Sequence, residues 1–399
     1  MNFAPIVPAH RTDNVTYAVR DVVVLAERVA ASGMKMSYLN IGDPNLFDFE
    51  TPPHIIAACH EAMRANRNGY APSSGIKGAV AAIRRQADRS QIRDVQHVFV
   101  TSGASEAIEL ALTALVNPGE NVLTPSPVYP LYTAVLAKLG AVNNPYYLDE
   151  ANNWEPDIAD IRAKINAQTR AIIVLNPNNP TGTVYSPETL KAILELAAEH
   201  SLVVFSDEIY DKLILDGAAF TSIASLAADV PVVTFNGMSK AYIVPGWRIG
   251  WGMVSGKPDV VGAYCDAIRK LERARLSANH PEQYAIAAAL DGSHAYLEPV
   301  LAKLRRRRDL TVERLNAIDG ISCVPPQAAF YAFPRIELGV EDKVFVERLI
   351  EKTGTVCVHG SGFGQRPGTQ HFRVVFLPPE DVLERAFDGI AKVAAEYRR

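Results

Sequence analysis

Six short apolar runs between residues 97 and 254 constrain this chain more than any other feature: HVFVT (97–101), NVLT (121–124), AIIVL (171–175), LVVFS (202–206), VVTFN (232–236) and IGWGMV (249–254). They are rich in β-branched residues and lack polar alternation, the pattern of strands covered on both faces. Helical patterns separate several of them. Ile108, Ala111, Leu112 and Leu115 follow the first, and SPETLKAILELAAEH (186–200) offers Ser186 as a cap and Pro187 for the first turn. The alternation predicts an α/β fold with a mostly parallel, helix-covered sheet.

From about Pro281 the chain changes to charged helical sequence such as LAKLRRRRDLTVERLNAI (301–318), with strand-like pieces at FYAFP (330–334) and HFRVVF (371–376). A smaller α+β domain is expected there. The predicted boundaries are 48–290 for the large domain, with 1–47 and 291–399 forming the small domain from both chain ends. Arg305, Arg306, Arg307 and Arg308 are read as a solvated helix surface, because consecutive positions point all round a helix.

At 399 residues and 48% hydrophobic content the chain has material for two cores. Its 40 Lys plus Arg against 44 Asp plus Glu give a net charge of −4, which argues against a nucleic-acid partner and for a small ligand. Cys59, Cys265, Cys323 and Cys357 are far apart, so neither a metal site nor a disulfide framework is expected. No run of about 18 apolar residues would span a bilayer. With no export signal in view, the expected compartment is the cytoplasm.

Chemistry concentrates where the apolar runs end. In VFVTSGASEAIELAL (98–112) a strand turns through Gly103 into a helix, and its free amides at Ala104 and Ser105 suit a phosphate. An ordinary helix cap has the same look. NPNNPTG (176–182) follows the third run at a strand end, where open α/β sheets bind ligands, and Asn179 can aim an amide at one. LVVFSDEIYDKL (202–213) sets Asp207 just past a buried strand, with Tyr210 three residues later. TFNGMSKAYIVPGWRIGW (234–251) adds Lys240, an amine able to form an imine, and Arg248, whose planar fork grips phosphate. Singly, each is an ordinary loop residue. Together they place phosphate turn, amide, acid, tyrosine, amine and guanidinium at successive strand ends.

On these motifs, from LNIGDPN (39–45) to FRVVFLPP (372–379), the sequence resembles the class I and II aminotransferases of fold type I, the alanine aminotransferases above all. The resemblance implies pyridoxal 5′-phosphate (PLP) as cofactor, held by Lys240 as a Schiff base. It implies that Asp207 pairs with the pyridine nitrogen, and that Asn179 and Tyr210 bond the ring oxygen. Gly103, Ala104, Ser105, Ser239 and Arg248 would hold the phosphate, and Tyr129, in SPVYPLY (126–132), would stack on the ring. Tyr70, in GYAPSSG (69–75), would reach the phosphate of a second subunit, making the active unit a homodimer. Arg373 would take the substrate carboxylate, with Asn179 and Gly42 beside it. Lys240, Asp207 and Tyr210 are the implied catalytic group. Where many relatives carry a serine three residues before the lysine, this chain has Gly237, which puts one phosphate contact in question.

The implied reaction is transfer of an amino group from an L-amino acid, alanine, to 2-oxoglutarate. Aspartate or broad specificity remains an alternative, as does another PLP reaction such as β-elimination, since fold alone does not fix reaction. Relatives that read a second carboxylate carry an arginine near position 274, here Ala274, with Arg273 and Arg275 beside it. Arg275 or Arg20 is the candidate partner for the distal carboxylate of glutamate, with surface or interface structure as the alternative role for each. A remote rival is a penicillin-recognising serine enzyme, because Ser74 with Lys77, Ser206-Asp207-Glu208 and Lys352-Thr353-Gly354 stand in the order of that class's motifs. GSGFG (360–364) lacks the following helix of a nucleotide loop and reads as a substrate-side loop.

Overall fold

In the computed structural model, which describes residues 4–15, 18–215 and 217–398, an eight-stranded sheet forms the centre of the molecule. Its strands in chain order are β1 (Val95–Ser102), β2 (Asn121–Ser126), β3 (Val142–Asp149), β4 (Glu155–Pro156), β5 (Thr169–Leu175), β6 (Val203–Asp207), β7 (Val232–Gly237) and β8 (Ile249–Ser255). Across the sheet the order is β1-β8-β7-β6-β5-β2-β3-β4. The five strands from β7 to β3 run parallel, while β8 is antiparallel to both β1 and β7, and β4 is antiparallel to β3. All strands but β4 and β8 therefore point the same way.

The unalternating runs have the cause their texture implies. On β5, Ile172 and Val174 pack into one apolar cluster while Ala171, Ile173 and Leu175 pack into another on the opposite face. Both faces are dry, so both sets must be apolar. Helix Ala104–Leu115 buries Ala107, Ile108, Ala111 and Leu112, one stripe at helical spacing. Helix Pro187–Glu199 begins where expected, with Ser186 Oγ accepting from the Thr189 amide at 3.2 Å. Strand β3 was not foreseen. Asn143, Asn144 and Pro145 break its apolar pattern, and its start is exposed near the sheet's edge.

The two chain ends meet in a second, smaller assembly. Ser37–Tyr38 pairs in parallel with Thr355–Val356, and a short antiparallel sheet joins Tyr331–Ala332, Phe372–Val375 and Val358–His359. Helices Ala18–Ala30, Asp342–Thr353 and Glu380–Glu396 pack around these strands. No helix among the described residues is long and apolar enough to cross a membrane.

The arginine run corrects a sequence expectation. Arg306 is exposed, but Arg307 and Arg308 are only 2% and 7% exposed. Helix Leu297–Asn316 is enclosed on more than one side, so adjacent positions both meet protein. Arg308 donates to Pro326 O at 3.1 Å. Arg307 lies 2.9 Å from Asp48 Oδ2 and 3.5 Å from Glu380 Oε2, donates to Leu377 O, and covers the Phe49 ring. One guanidinium thus joins the start of the expected large domain to both the helix and the C-terminal segment. Removing one partner of a buried pair costs about 3–5 kcal/mol, and the half-exposed carboxylates reduce that here. We expect Arg307→Ala to lower unfolding free energy by about 2 kcal/mol in urea titration, with Arg307→Lys recovering part. A change below about 0.5 kcal/mol, the scale of an ordinary surface substitution, would contradict the clamp.

Candidate active site

The aligned carboxyl ends of the strands open into a cavity of about 530 Å³. Register brings the functional loops to one level: Leu175 of β5 pairs with Asp207 of β6, and Asp207 with Phe235 of β7. The segments that continue these strands carry Asn179, Tyr210, Ser239 and Lys240. Because β8 runs the other way, its beginning lies at this edge, and Arg248 immediately precedes it.

One wall is an anion cradle. Gly103, at φ 81°, turns β1 into helix Ala104–Leu115, and an added Cβ there would sit 2.3 Å from Arg248 Nη2. Glycine is required by both the backbone angle and the close approach. Arg248 Nη2 donates to Ser105 Oγ at 3.0 Å and Nη1 to Pro245 O at 3.0 Å. Helix amides, a hydroxyl and a guanidinium form a donor set suited to phosphate. Ala104, Ser105, Ser239 and Arg248 line the cavity, while Gly103 shapes it from behind. Gly237 also has a structural reason: an added Cβ would lie 2.9 Å from Ile249 O of β8, leaving no room for a serine without a backbone shift.

Asp207 forms the opposite pole. It is 4% exposed, accepts from Tyr132 Oη at 2.8 Å and from the Ile209 amide at 3.3 Å. Burial pushes its carboxyl up to about 6, against the pull of the Tyr132 hydroxyl, the Ile209 amide and the Lys240 charge. The neighbouring Glu208 is pushed higher, to about 8, by burial, despite donation from Ser222 and Ser206. Of the two, Asp207 is therefore the more readily ionised. Such a carboxylate is matched by a protonated ring nitrogen. Burial also drives the Tyr210 phenol far above its usual range, so it stays a hydroxyl, 3.0 Å from Tyr331 Oη.

The remaining wall comes from the smaller assembly. Lys240 Nζ donates to Gly42 O at 2.7 Å. Arg373 lies between the rings of Tyr331 and Phe363, at 4.7 and 4.6 Å, donates to Asn179 Oδ1 at 3.2 Å and also to Asn40 O. Phe363 belongs to GSGFG, so that loop backs Arg373. Tyr129 lines the cavity, as do Gly42, Asn179, Asp207, Tyr210, Lys240 and Arg373. Tyr70 does not; it is 82% exposed elsewhere on the surface. Arg275 also stays outside, donating to Val100 O at 2.7 Å, and the Arg20 side chain lies outside the described residues. Ser74 Oγ donates to Glu272 rather than to Lys77, which is exposed, so the serine-enzyme pairing is not made.

Sequence reasoning missed two residues. Tyr132, the hydroxyl partner of Asp207, lies one helical turn beyond Tyr129 in the same SPVYPLY run, and that spacing was the available signal. Tyr331 lines the cavity beside Tyr210, but nothing in FYAFP distinguishes it from core.

The comparisons agree with this chemistry. The family model for aminotransferase class I and II matches residues 35–390. A glutamate-pyruvate aminotransferase, AlaA, of Haemophilus influenzae is 39% identical over 98% of both chains. An alanine aminotransferase of Mycobacterium tuberculosis is 39% identical over 98% of this chain and 92% of its own length. The solved structure of an alanine aminotransferase from Pyrococcus furiosus superposes with a TM-score of 0.94, at 42% identity, covering 98% of this chain and all of that one. With the cradle, the buried acid and the amine converging on one cavity, the chain belongs to the class I and II aminotransferases and is a PLP-dependent enzyme.

Proposed function

We propose that this enzyme is an alanine aminotransferase that exchanges the amino group between alanine and 2-oxoglutarate, acting as a cytoplasmic homodimer. The observation that carries the reading is the convergence of Lys240, Asp207, Asn179 and Arg373 on one cavity beside the anion cradle. The names of the relatives, glutamate-pyruvate and alanine aminotransferase, support the substrate pair. The pairing of Ser37–Tyr38 with Thr355–Val356 supports a small domain of residues 1–47 and 291–399 around a large domain of 48–290.

PLP, when bound, supplies the electron sink for the bond broken at the α-carbon. The protein supplies charge and geometry. Lys240 Nζ would hold the cofactor covalently and, as a free amine, would move the α-proton as a general base. Asp207 would favour a protonated ring nitrogen, with Tyr132 orienting its carboxylate. Asn179, Tyr210 and Tyr129 would hold the ring, and Ala104, Ser105, Ser239 and Arg248 would hold the phosphate in the cradle that Gly103 shapes. Arg373 would bind the substrate carboxylate bidentately and so orient the α-carbon. The described cations lining the cavity are Lys240, Arg248 and Arg373, each with a task in this scheme. None is assigned to a second carboxylate as close to the first as that of aspartate.

Three outcomes follow from these assignments. Lys240→Ala should abolish borohydride fixation of the cofactor to the chain and reduce turnover by orders of magnitude; near wild-type turnover would remove Lys240 from the scheme. For Asp207 the sign is set by burial, which raises the folded value from 3.8 to about 6. Without cofactor the folded chain binds this proton more tightly than the unfolded chain does. Its contribution is fully present below about pH 4 and is lost as pH rises through about 6, some 3 kcal/mol in all. Cofactor-free Asp207→Asn should therefore gain stability relative to wild type across that window in urea titrations at pH 4, 6 and 8, and in the cofactor-loaded variant the α-proton step should slow. Parallel pH dependence in the two proteins would contradict the buried charge. Finally, kcat/KM with 2-oxoglutarate should favour alanine over aspartate; a tenfold preference for aspartate, about 1.4 kcal/mol, would overturn the alanine reading.

A further inference from the structure

The loop at residues 69–76 is exposed at its tip and fixed from beneath. Tyr70 stands beside a surface concavity formed with Asn68, Ser277, Asn279 and His280. Below it, His280 Nδ1 lies 2.8 Å from Gly69 O, the Ile76 amide donates to Gln283 Oε1 at 2.8 Å, and the Val100 amide donates to Ser74 O at 3.0 Å. Ser74 Oγ donates to Glu272, which is fully buried and bonded on its other oxygen to His97. Burying a carboxylate is costly unless it is paired and hydrogen-bonded, as this one is by His97 and Ser74. What this one fixes is a loop that presents an exposed aromatic ring.

Arg275 extends the network to the active site. Its Nη2 donates to Val100 O at 2.7 Å and to Ser73 O at 3.4 Å, and its Nε lies 3.5 Å from Glu106 Oε1. Glu106 Oε2 in turn accepts from the Ser102 amide at 2.7 Å. Ser102 ends β1, and Glu106 is in the first turn of the helix whose start forms the anion cradle. One guanidinium therefore spans the cradle of its own chain and the loop that bears Tyr70. The chain leaves Arg275 through Leu276 at φ 83°, a backbone region that non-glycine residues enter only when their surroundings impose it.

Resting on the homodimer reading, in which Tyr70 completes the partner's cradle, we propose that Arg275 is a positioning residue. It ties each cradle to the loop that serves the other, so that both sites retain cofactor through a side chain that touches neither cofactor nor substrate.

The test uses holoenzyme of four kinds: wild type, Tyr70→Phe, Arg275→Met and the double variant. Cofactor dissociation constants come from loss of the bound cofactor's visible absorption on dilution, and subunit state from sedimentation. Each single substitution should weaken retention by about tenfold, and the double should be at most about threefold weaker than the worse single, because both break one connection. Arg275→Lys should recover part of the loss. Effects that multiply in the double variant, or unchanged retention in folded Arg275→Met, would overturn the proposal. If Arg275→Met does not fold, Glu106→Gln enters the same cycle in its place. A monomeric active enzyme, or one whose retention ignores Tyr70→Phe, defeats the dimer reading and this proposal with it. A dimer weakened by Tyr70→Phe, with multiplying effects, leaves the reading intact and ends only the role of Arg275.

Discussion

The common direction of six of the eight central strands is the constraint on which the rest of the structure depends. A parallel sheet needs both faces covered, so its strands carry little besides apolar side chains and its polar chemistry is confined to the ends. With β7, β6, β5 and β1 pointing one way, Lys240, Asp207, Asn179 and the phosphate turn emerge at a single edge. The antiparallel β8 contributes by the opposite logic, since its beginning reaches that edge and delivers Arg248 to the cradle. A reversal of any of these strands would carry its residue to the far side of the sheet.

Asp207 and Glu208 are buried at that edge, so charge placement matters there. Burial opposes the charge on Asp207, while Tyr132, Ile209 and Lys240 favour it. Glu208 is raised further, because its serine partners offset less of its burial. Of these neighbouring carboxyls at one strand end, the one facing the cavity is therefore the more readily ionised. Arg373 lies between two aromatic faces, which attract its charge.

The sequence made most of the fold legible because an unalternating apolar run has few alternatives to a covered strand. Strand β3 escaped because its asparagines and proline follow the rules of an edge, and its neighbours supply its burial. The meeting of Lys240, Asp207 and Asn179 at one cavity was legible because the motifs set them at or just past strand ends; Arg373, within strand Phe372–Val375, came from the resemblance alone. Tyr132 and Tyr331 were not legible, and Arg275 was singled out for a different role. Each acts on a residue remote in sequence, and one-dimensional spacing carries no record of that contact. Arg307 and Arg308 failed for a simpler reason: helical periodicity predicts one buried face, whereas helix Leu297–Asn316 is enclosed by segments from several parts of the chain. Gly237, a departure from the pattern of many relatives, is explained by the proximity of β8, which leaves no space for a side chain.

The carbonyls of Asn40 and Gly42, on one short stretch near the start of the chain, meet Arg373 and Lys240, and the neighbouring strand Ser37–Tyr38 pairs with Thr355–Val356. In the order of synthesis, the first of these segments leaves the ribosome long before the last. The large sheet has all its strands once residue 255 has emerged, yet the cavity lacks Arg373 until the chain is nearly complete. A nascent chain can therefore own the anion cradle, the acid and the amine while the last part of the wall that closes over them has still to be made.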